Sequence, residues 1–103
     1  MTPVMAKAFD IESKAVKDGA DVLRALLNPL RQRIIKEILR QEKVNVSDLY
    51  WKLRLEQSVV SAQLGILRNA GFVLTERNGR EVYYSLNYER FAEVNKLVKR
   101  LSQ

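Results

Sequence analysis

The sequence predicts a mainly helical domain with one small β-hairpin (α+β), and three observations support this fold class. Apolar residues recur every three or four positions over most of the chain, the spacing of helices with one buried face. A helical pattern over residues 56–70 ends at Gly71, and two strand-like runs then flank Asn78-Gly79, a strong hairpin signal. A helix, a tight turn, a second helix and a hairpin, in that order, predict a winged helix-turn-helix.

The composition indicates one small domain, residues 1–103, with a polyanionic partner. Eighteen Lys and Arg residues against 12 Asp and Glu residues give a net charge of +6 at pH 7, and the chain has no histidine. This charge therefore hardly changes between about pH 5 and 8. An anionic membrane would also fit the charge, but no window approaches about 18 apolar residues and the start does not resemble a signal peptide. We expect no membrane partner and a cytoplasmic location.

The first half of the chain predicts three helices. Thr2-Pro3 has the cap-then-proline pattern of a helix start, and the helix runs over residues 3–17, where it carries an unusually wide apolar face. One stripe of that face consists of Val4, Ala8, Ile11 and Ala15. Asp18 caps a short helix over 20–27, and Asn28-Pro29 repeats the start signal for a helix over 29–41.

The helix-turn-helix follows at residues 45–70. Asn45, with Asp48 three residues later, resembles a capping box and opens the first helix. In the second helix, Val60, Leu64 and Leu67 share one side. The opposite side is short and uncharged; this small-residue face consists of Ser58, Ser61, Ala62, Gly65 and Asn69. Such a face can approach a DNA groove closely, although a second helix packed there would satisfy the same pattern.

The hairpin and the last helix complete the chain. The runs 72–77 and 80–86 are expected to form the strands, with Asn78-Gly79 as a two-residue turn in which both residues need positive φ. A final helix over 88–102 has an apolar stripe made of Phe91, Val94, Val98 and Leu101. We expect this stripe and that of the first helix to form the interface of a homodimer. The alternative is packing of the two terminal helices within one chain.

Three stretches resemble the ArsR family of bacterial winged-helix repressors. They are Asn28-Pro29-Leu30-Arg31-Gln32-Arg33-Ile34, the run from Leu55 to Val73, and Gly79-Arg80-Glu81-Val82-Tyr83-Tyr84-Ser85-Leu86. The resemblance covers nearly the whole chain. It implies a dimer joined through its terminal helices, double-stranded DNA as the partner, and release from DNA by an inducer whose chemistry these residues do not specify.

The resemblance also implies which residues meet DNA. Gln57, Ser58, Ser61 and Ala62 stand where bases are contacted, and the hairpin tip at Arg77, Asn78, Gly79 and Arg80 stands on flanking backbone or minor groove. From the helix pattern we add Gly65 as a base-reading candidate, and Gln63 with lower rank because it lies nearer the buried side. Since Arg68 is the one basic residue of that helix, backbone affinity is also expected from Lys52, Arg54, Arg31 and Arg33, each of which could instead be a solvated surface charge.

The chain departs from its metal-sensing relatives, which bind metals through cysteine near the first helix-turn-helix helix or through histidine on the last helix. It contains no cysteine and no histidine, so neither kind of site can form. Glu89 and Glu93 on the last helix resemble a solvated face more than a cation site. We expect no metal and no cofactor.

Together these patterns predict a dimeric, sequence-specific DNA-binding regulator that represses by blocking promoter access. A winged-helix scaffold for protein partners is the main alternative, with the positive charge serving solubility. An enzyme is disfavoured because Ser61 has no histidine or cysteine partner and no glycine-rich phosphate loop is present.

Overall fold

The structure is a computed structural model that describes residues 21–101. Residues 21–27 are helical. They are followed by α1 (Pro29–Gln41), β1 (Val44–Asn45), α2 (Val46–Leu53), α3 (Gln57–Asn69), β2 (Val73–Asn78), β3 (Glu81–Leu86) and α4 (Tyr88–Leu101). In this part of the chain no helix has the length and apolar character needed to cross a bilayer. The helix expected over 3–17, with Val4, Ala8, Ile11 and Ala15, lies outside the described residues, as does the side chain of Leu101.

Both predicted caps are present and set where α1 and α2 begin. The Asn28 side chain accepts hydrogen bonds from the backbone N–H groups of Leu30 at 2.9 Å and Arg31 at 3.1 Å. The Asn45 side chain accepts one from the N–H of Asp48 at 2.8 Å. These bonds satisfy N–H groups that a helix start leaves without intrahelical partners. The boundaries of α1 and α2 are therefore local properties of the sequence.

The core forms where α1, α2 and α3 meet the sheet. Val60, Leu64 and Leu67 of α3 are buried as predicted, at 1 % exposure or less. They pack with Ile34 and Ile38 of α1 in one apolar cluster that also contains Val44, Leu49, Phe72, Val73, Leu86 and Val94. The buried side of α3 is thus fixed against α1, which leaves its opposite side facing outward.

The apolar stripe of α4 is used within the chain. Val94 is 5 % exposed and belongs to the core cluster, and Phe91 and Val98 pack against that cluster. The ring of Phe91 lies 4.9 Å from that of the fully buried Phe72, measured between centroids. Within the chain these residues therefore have apolar neighbours, as the intrachain alternative predicts. Their assignment to a dimer interface stays a prediction, since Phe91 and Val98 are only half-buried.

The sheet has three antiparallel strands in the order β1-β3-β2. Strand β1 was not predicted, because it has only two residues, which pair as Val44 with Tyr84 and Asn45 with Tyr83. Two residues carry no alternation for a sequence pattern to show. Strand β1 nevertheless joins the hairpin to the start of α2.

The hairpin forms as predicted, but its turn is shifted by one residue. Asn78 lies within β2 and pairs with Glu81, so the two turn residues are Gly79 and Arg80 and not Asn78-Gly79. Gly79 has φ +65°. A turn with glycine at its first central position needs positive φ only there, so the shifted turn requires positive φ at Gly79 alone. Arg80 is consequently at the tip of the hairpin.

Candidate nucleic-acid interface

The outward side of α3 is a smooth surface. Every member of the small-residue face is exposed, and Gln57 at the start of the helix is exposed beside it. None of these side chains carries a charge or a long aliphatic stem. The small-residue face can therefore approach another surface at close range along about three turns of helix.

Gly65 lies at the middle of this face without any need arising from the fold. A Cβ atom built on Gly65 has no atom within 4 Å among its neighbours. Glycine in a helix interior costs about 0.5–1 kcal/mol relative to alanine. The monomer therefore gives no packing reason for Gly65, which is what we expect if a second body approaches the helix at this point.

A cleft of about 290 Å³ separates α3 from the hairpin. Ser61 of α3 and Arg80 of the hairpin tip both line it. The structure thus brings together two residues that are 19 positions apart in the sequence and that were predicted for base reading and backbone binding. The other lining residues are Asn45, Val46, Ser47, Glu81, Val82 and Tyr84.

Sequence reasoning missed Ser47 and Glu81 as members of this cleft. Ser47 lies in the first turn of α2, where a hydroxyl can donate to phosphate, and that position next to the Asn45 cap could have indicated it. Glu81 follows the hairpin turn and puts a negative charge beside Arg80. The alternation of the hairpin strands does not show that Glu81 lines this cleft, because that depends on how the hairpin packs against the helices.

The hairpin is braced from its outer face by Lys43. The Lys43 ammonium lies 2.5 Å from a carboxylate oxygen of Glu76 in β2 and 5.5 Å from the ring centroid of Tyr83 in β3. The Tyr83 hydroxyl donates a hydrogen bond to Glu81, and this bond and the Glu81 charge raise the pKa of Tyr83 above its ordinary value. The contacts connect both hairpin strands to the loop before β1.

Arg31, predicted for backbone affinity, and Gln63, the lower-ranked base-reading candidate, contact each other. The Arg31 guanidinium donates to the carbonyl of Ala25 at 2.6 Å, to that of Arg24 at 3.2 Å and to the Gln63 amide oxygen at 2.9 Å. Arg31 is thus engaged with internal acceptors, and Gln63 is half-buried and accepts from Arg31, so their roles in DNA binding stay predictions. Gln63 lies nearer the buried stripe of α3 than Ser61 does, and its side chain therefore reaches a partner inside the domain, Arg31.

The remaining predicted backbone-binding residues are at the surface. Arg33 is exposed and donates to the Leu53 carbonyl at the end of α2, at 3.0 Å. Exposed basic residues also occur at Lys52 and Arg54 before the turn, at Arg68 near the end of α3, and at Arg77 and Arg80 of the hairpin. The hairpin residues Asn78 and Gly79 are exposed beside them. In residues 21–101 no group of three or more His, Cys, Asp or Glu residues could hold a metal ion.

Comparison with known proteins identifies the family. Residues 28–75 match the family described as "Bacterial regulatory protein, arsR family". The chain is 35 % identical to the transcriptional repressor PagR of Bacillus anthracis over 89 residues, which are 85 % of this chain and 88 % of PagR. The chain belongs to the ArsR family.

Other ArsR relatives agree in sequence and in fold. The HTH-type transcriptional regulator NmtR of Mycobacterium tuberculosis is 42 % identical over 76 residues, which are 74 % of this chain and 62 % of NmtR. The crystal structure of PagR superposes with a TM-score of 0.66 at 29 % identity, over 82 % of this chain and 98 % of PagR. An ArsR-like regulator from Rhodococcus sp. RHA1 shares the fold, with a TM-score of 0.76 at 23 % identity over 84 % of this chain and 81 % of that protein.

Membership of the ArsR family establishes the general activity and the fold of this protein. ArsR proteins are DNA-binding regulators of transcription and not enzymes, and the same holds for this protein. Its fold is the winged helix-turn-helix predicted from the sequence, with α2 and α3 as the helix-turn-helix and β2 and β3 as the wing. The partner of the family is double-stranded DNA.

Proposed function

We propose that this ArsR protein is a homodimeric, sequence-specific transcriptional repressor that occupies operator DNA with α3 and its wing. The observation that carries the proposal is the small-residue face of α3, exposed and uncharged, beside a cleft that Arg80 enters from the wing tip. A major groove admits one helix and presents base edges to its outer side. PagR, which is named a transcriptional repressor, supports repression as the outcome of binding.

The proposed interface has two kinds of residue. Gln57, Ser58, Ser61, Ala62 and Gly65 read bases or allow close approach to them. Cationic side chains hold the DNA backbone without sequence preference; they are Lys52, Arg54, Arg68, Arg77 and Arg80, with Arg33 as a weaker candidate. Asn78 and Gly79 place the wing tip on the flanking backbone.

The proposed assembly is a symmetric dimer of one domain, residues 1–103, that acts in the cytoplasm, where the DNA lies. Two reading helices about 34–36 Å apart would match two half-sites one helical turn apart. We place the dimer contacts in the first helix, at Val4, Ala8, Ile11 and Ala15, and at the end of α4 near Leu101. A dimer on a promoter excludes polymerase by occupying the same DNA.

We further propose that this regulator does not sense metal ions through cysteine or histidine, since its sequence contains neither residue. Elemental analysis of the purified protein tests this directly. We expect no stoichiometric zinc and the same operator affinity with and without a chelator. One bound zinc per chain, or loss of binding in the chelator, would contradict the proposal.

Fluorescence anisotropy tests the function as a whole. Labelled duplexes from upstream of the protein's own gene are titrated at several salt concentrations, beside a scrambled duplex of the same length and composition. We expect one upstream duplex to bind at least about 10³-fold more tightly than the scrambled one. If the protein were a scaffold for other proteins, all duplexes would bind weakly and equally, and the binding would vanish as salt rises.

A further inference from the structure

Arg31 connects two parts of the domain that are distant in sequence. Its Nε donates to the carbonyl of Ala25 at 2.6 Å and its Nη2 to the carbonyl of Arg24 at 3.2 Å. Its Nη1 donates to Oε1 of Gln63, 32 positions away, at 2.9 Å. All three guanidinium nitrogens therefore have acceptors inside the domain, and the side chain is half-buried.

The two carbonyl acceptors belong to the end of the helix at residues 21–27. The last carbonyls of a helix have no intrahelical donor, and a cation near them is favourable both as a donor and as a charge. Asn28, immediately after this helix, caps the start of α1 through the N–H groups of Leu30 and Arg31. Asn28 and Arg31 together hold the corner between the 21–27 helix and α1.

The third acceptor is on the helix that carries the small-residue face. Gln63 lies between that face and the buried stripe of Val60, Leu64 and Leu67. Apolar contacts such as those of the stripe are non-directional, so they tolerate small rotations of a helix about its axis. A hydrogen bond is directional and short. The Arg31–Gln63 bond therefore restricts the rotation at which α3 presents its outward side.

We propose that Arg31 is a positioning residue for DNA recognition, which sets the orientation of the small-residue face through Gln63 and couples it to the 21–27 helix. The inference rests on the proposed function, since it assigns Arg31 to the specificity of the same interface. Arg31 acts without contacting phosphate, and Gln63 acts without contacting a base. A displacement of residues 21–27 relative to α1 removes two acceptors from the guanidinium and so changes how Gln63 is held.

The variants Arg31→Lys and Gln63→Met distinguish the positioning of α3 by Arg31 from direct binding of a DNA phosphate by Arg31. Lysine keeps the positive charge but cannot form a fork to three acceptors, so a phosphate contact would largely survive the change and a positioning contact would not. Methionine has about the length of glutamine and no strong acceptor. Arg40→Lys is the matched control, because Arg40 is exposed on the same helix, is not part of the proposed interface, and donates to Glu37 of that helix at 2.6 Å.

The binding measurement uses the preferred duplex and a scrambled duplex at several salt concentrations. We expect each single variant to lose about tenfold in affinity for the preferred duplex, while affinity for the scrambled duplex and the slope of log K against log salt stay unchanged. The double variant should lose no more than either single variant, and Arg40→Lys should match the wild type. Wild-type affinity in Arg31→Lys, equal loss on both duplexes, or losses that add in the double variant would each overturn the proposal.

Amide chemical shifts of the free protein give a test that needs no DNA. Arg31→Lys and Gln63→Met should perturb the same backbone amides of α3, with melting temperatures that show both variants folded. Unchanged α3 shifts in folded Arg31→Lys would overturn the positioning role. If the wild type preferred no duplex, the proposed function would fail, and these shifts would still decide whether Arg31 orients α3.

Discussion

At the scale of single residues, Gly65 is expected to affect folding stability and DNA binding in opposite directions. In the folded chain an alanine would fit at this position, because a Cβ built there has no neighbouring atom within 4 Å, and it would be more stable than glycine within a helix. In the proposed complex the methyl group of an alanine at position 65 would collide with the DNA against the small-residue face. Replacing Gly65 with alanine therefore tests both effects at once.

Gly65→Ala should stabilise the protein and weaken DNA binding. We expect the free energy of unfolding to rise by about 0.5–1 kcal/mol from removal of a mid-helix glycine, and the preferred-duplex affinity to fall by roughly 1–3 kcal/mol from overpacking at the interface. Urea unfolding and anisotropy measure the two effects. Gly79→Ala is the control, since its φ of +65° makes alanine strained and destabilising. Unchanged DNA affinity in Gly65→Ala would remove Gly65 from the interface.

Glu37 is expected to contribute to the pH dependence of stability. Hydrogen bonds from Arg40, at 2.6 Å, and from Gln41, at 2.6 Å, hold the pKa of the Glu37 carboxyl below its ordinary value of 4.5. A pKa that folding lowers contributes stability above the unfolded pKa, and that stability is lost as the pH falls through the folded pKa.

Glu37→Gln should therefore cost stability at pH 7 and cost less in acid. The expected loss at pH 7 is below about 1 kcal/mol, because Arg40 is half exposed and solvent screens the pair. The gap between variant and wild type should close as the pH falls below about 4.5. Urea unfolding at pH 7, 5 and 3.5 measures it, with Arg40→Gln as the partner variant. A gap that stays constant across this range would show that the pair does not stabilise the fold.

At the scale of elements, the proposed interface assigns phosphate binding to the wing and base reading to α3. The turn at Gly79-Arg80 places a cation at the wing tip, and Lys43 braces both strands behind it. The small-residue face of α3 contains no basic residue. We therefore expect affinity for phosphate and discrimination between bases to depend on different elements.

Arg80→Ala and Ser61→Ala should change different properties of DNA binding. Arg80→Ala should weaken binding to every duplex and flatten the slope of log K against log salt by about 1 for each phosphate that the arginine neutralises. Ser61→Ala should leave that slope unchanged and alter preference at the base pair it meets, by roughly 1–3 kcal/mol. Anisotropy across salt measures both.

Arg100→Ala is the charge-matched control for Arg80→Ala, because it removes one cation at the end of α4, outside the lining of the cleft. It should change the salt slope by much less. If Arg80→Ala and Ser61→Ala gave the same salt dependence, the division between the wing and α3 would be wrong.

At the scale of the whole molecule, the proposed dimer would be joined through the ends of the chain. Within one chain, the α4 stripe that we assigned to the interface also packs against the core, with Phe91 beside Phe72. The dimer contacts that we propose therefore rest mainly on the wide apolar pattern that the sequence shows over residues 3–17, and on the family to which the chain belongs. A substitution in that pattern tests the proposal.

Ile11→Asp should convert the protein to a monomer and abolish tight operator binding. An unpaired carboxylate in an apolar interface costs several kcal/mol, and a monomer seats only one reading helix. Sedimentation gives the mass and anisotropy the affinity. Leu74→Asp, a matched change at a half-exposed leucine of β2, should leave the mass unchanged. A dimeric Ile11→Asp variant would place the interface elsewhere.

Much of the fold was predictable because it is local. The Asn28 and Asn45 caps, the buried stripe of α3 and the presence of a hairpin depend on residues within a few positions of one another. The exposed small-residue face followed from the same helical period. The lack of cysteine and histidine in the chain predicts that no metal is held through those residues, and this stays a proposal.

What the tertiary structure decided depends on contacts between distant residues. Arg31 found its acceptors at the end of one helix and on α3, the apolar stripe of α4 was used by Phe72, and β1 formed only because β3 lay beside it. A periodic pattern shows that a side chain needs a partner and cannot show which partner the packing supplies. The kinds of element and the outward face of α3 were thus determined by the sequence, whereas the cleft and the Arg31–Gln63 link arise from how the elements pack.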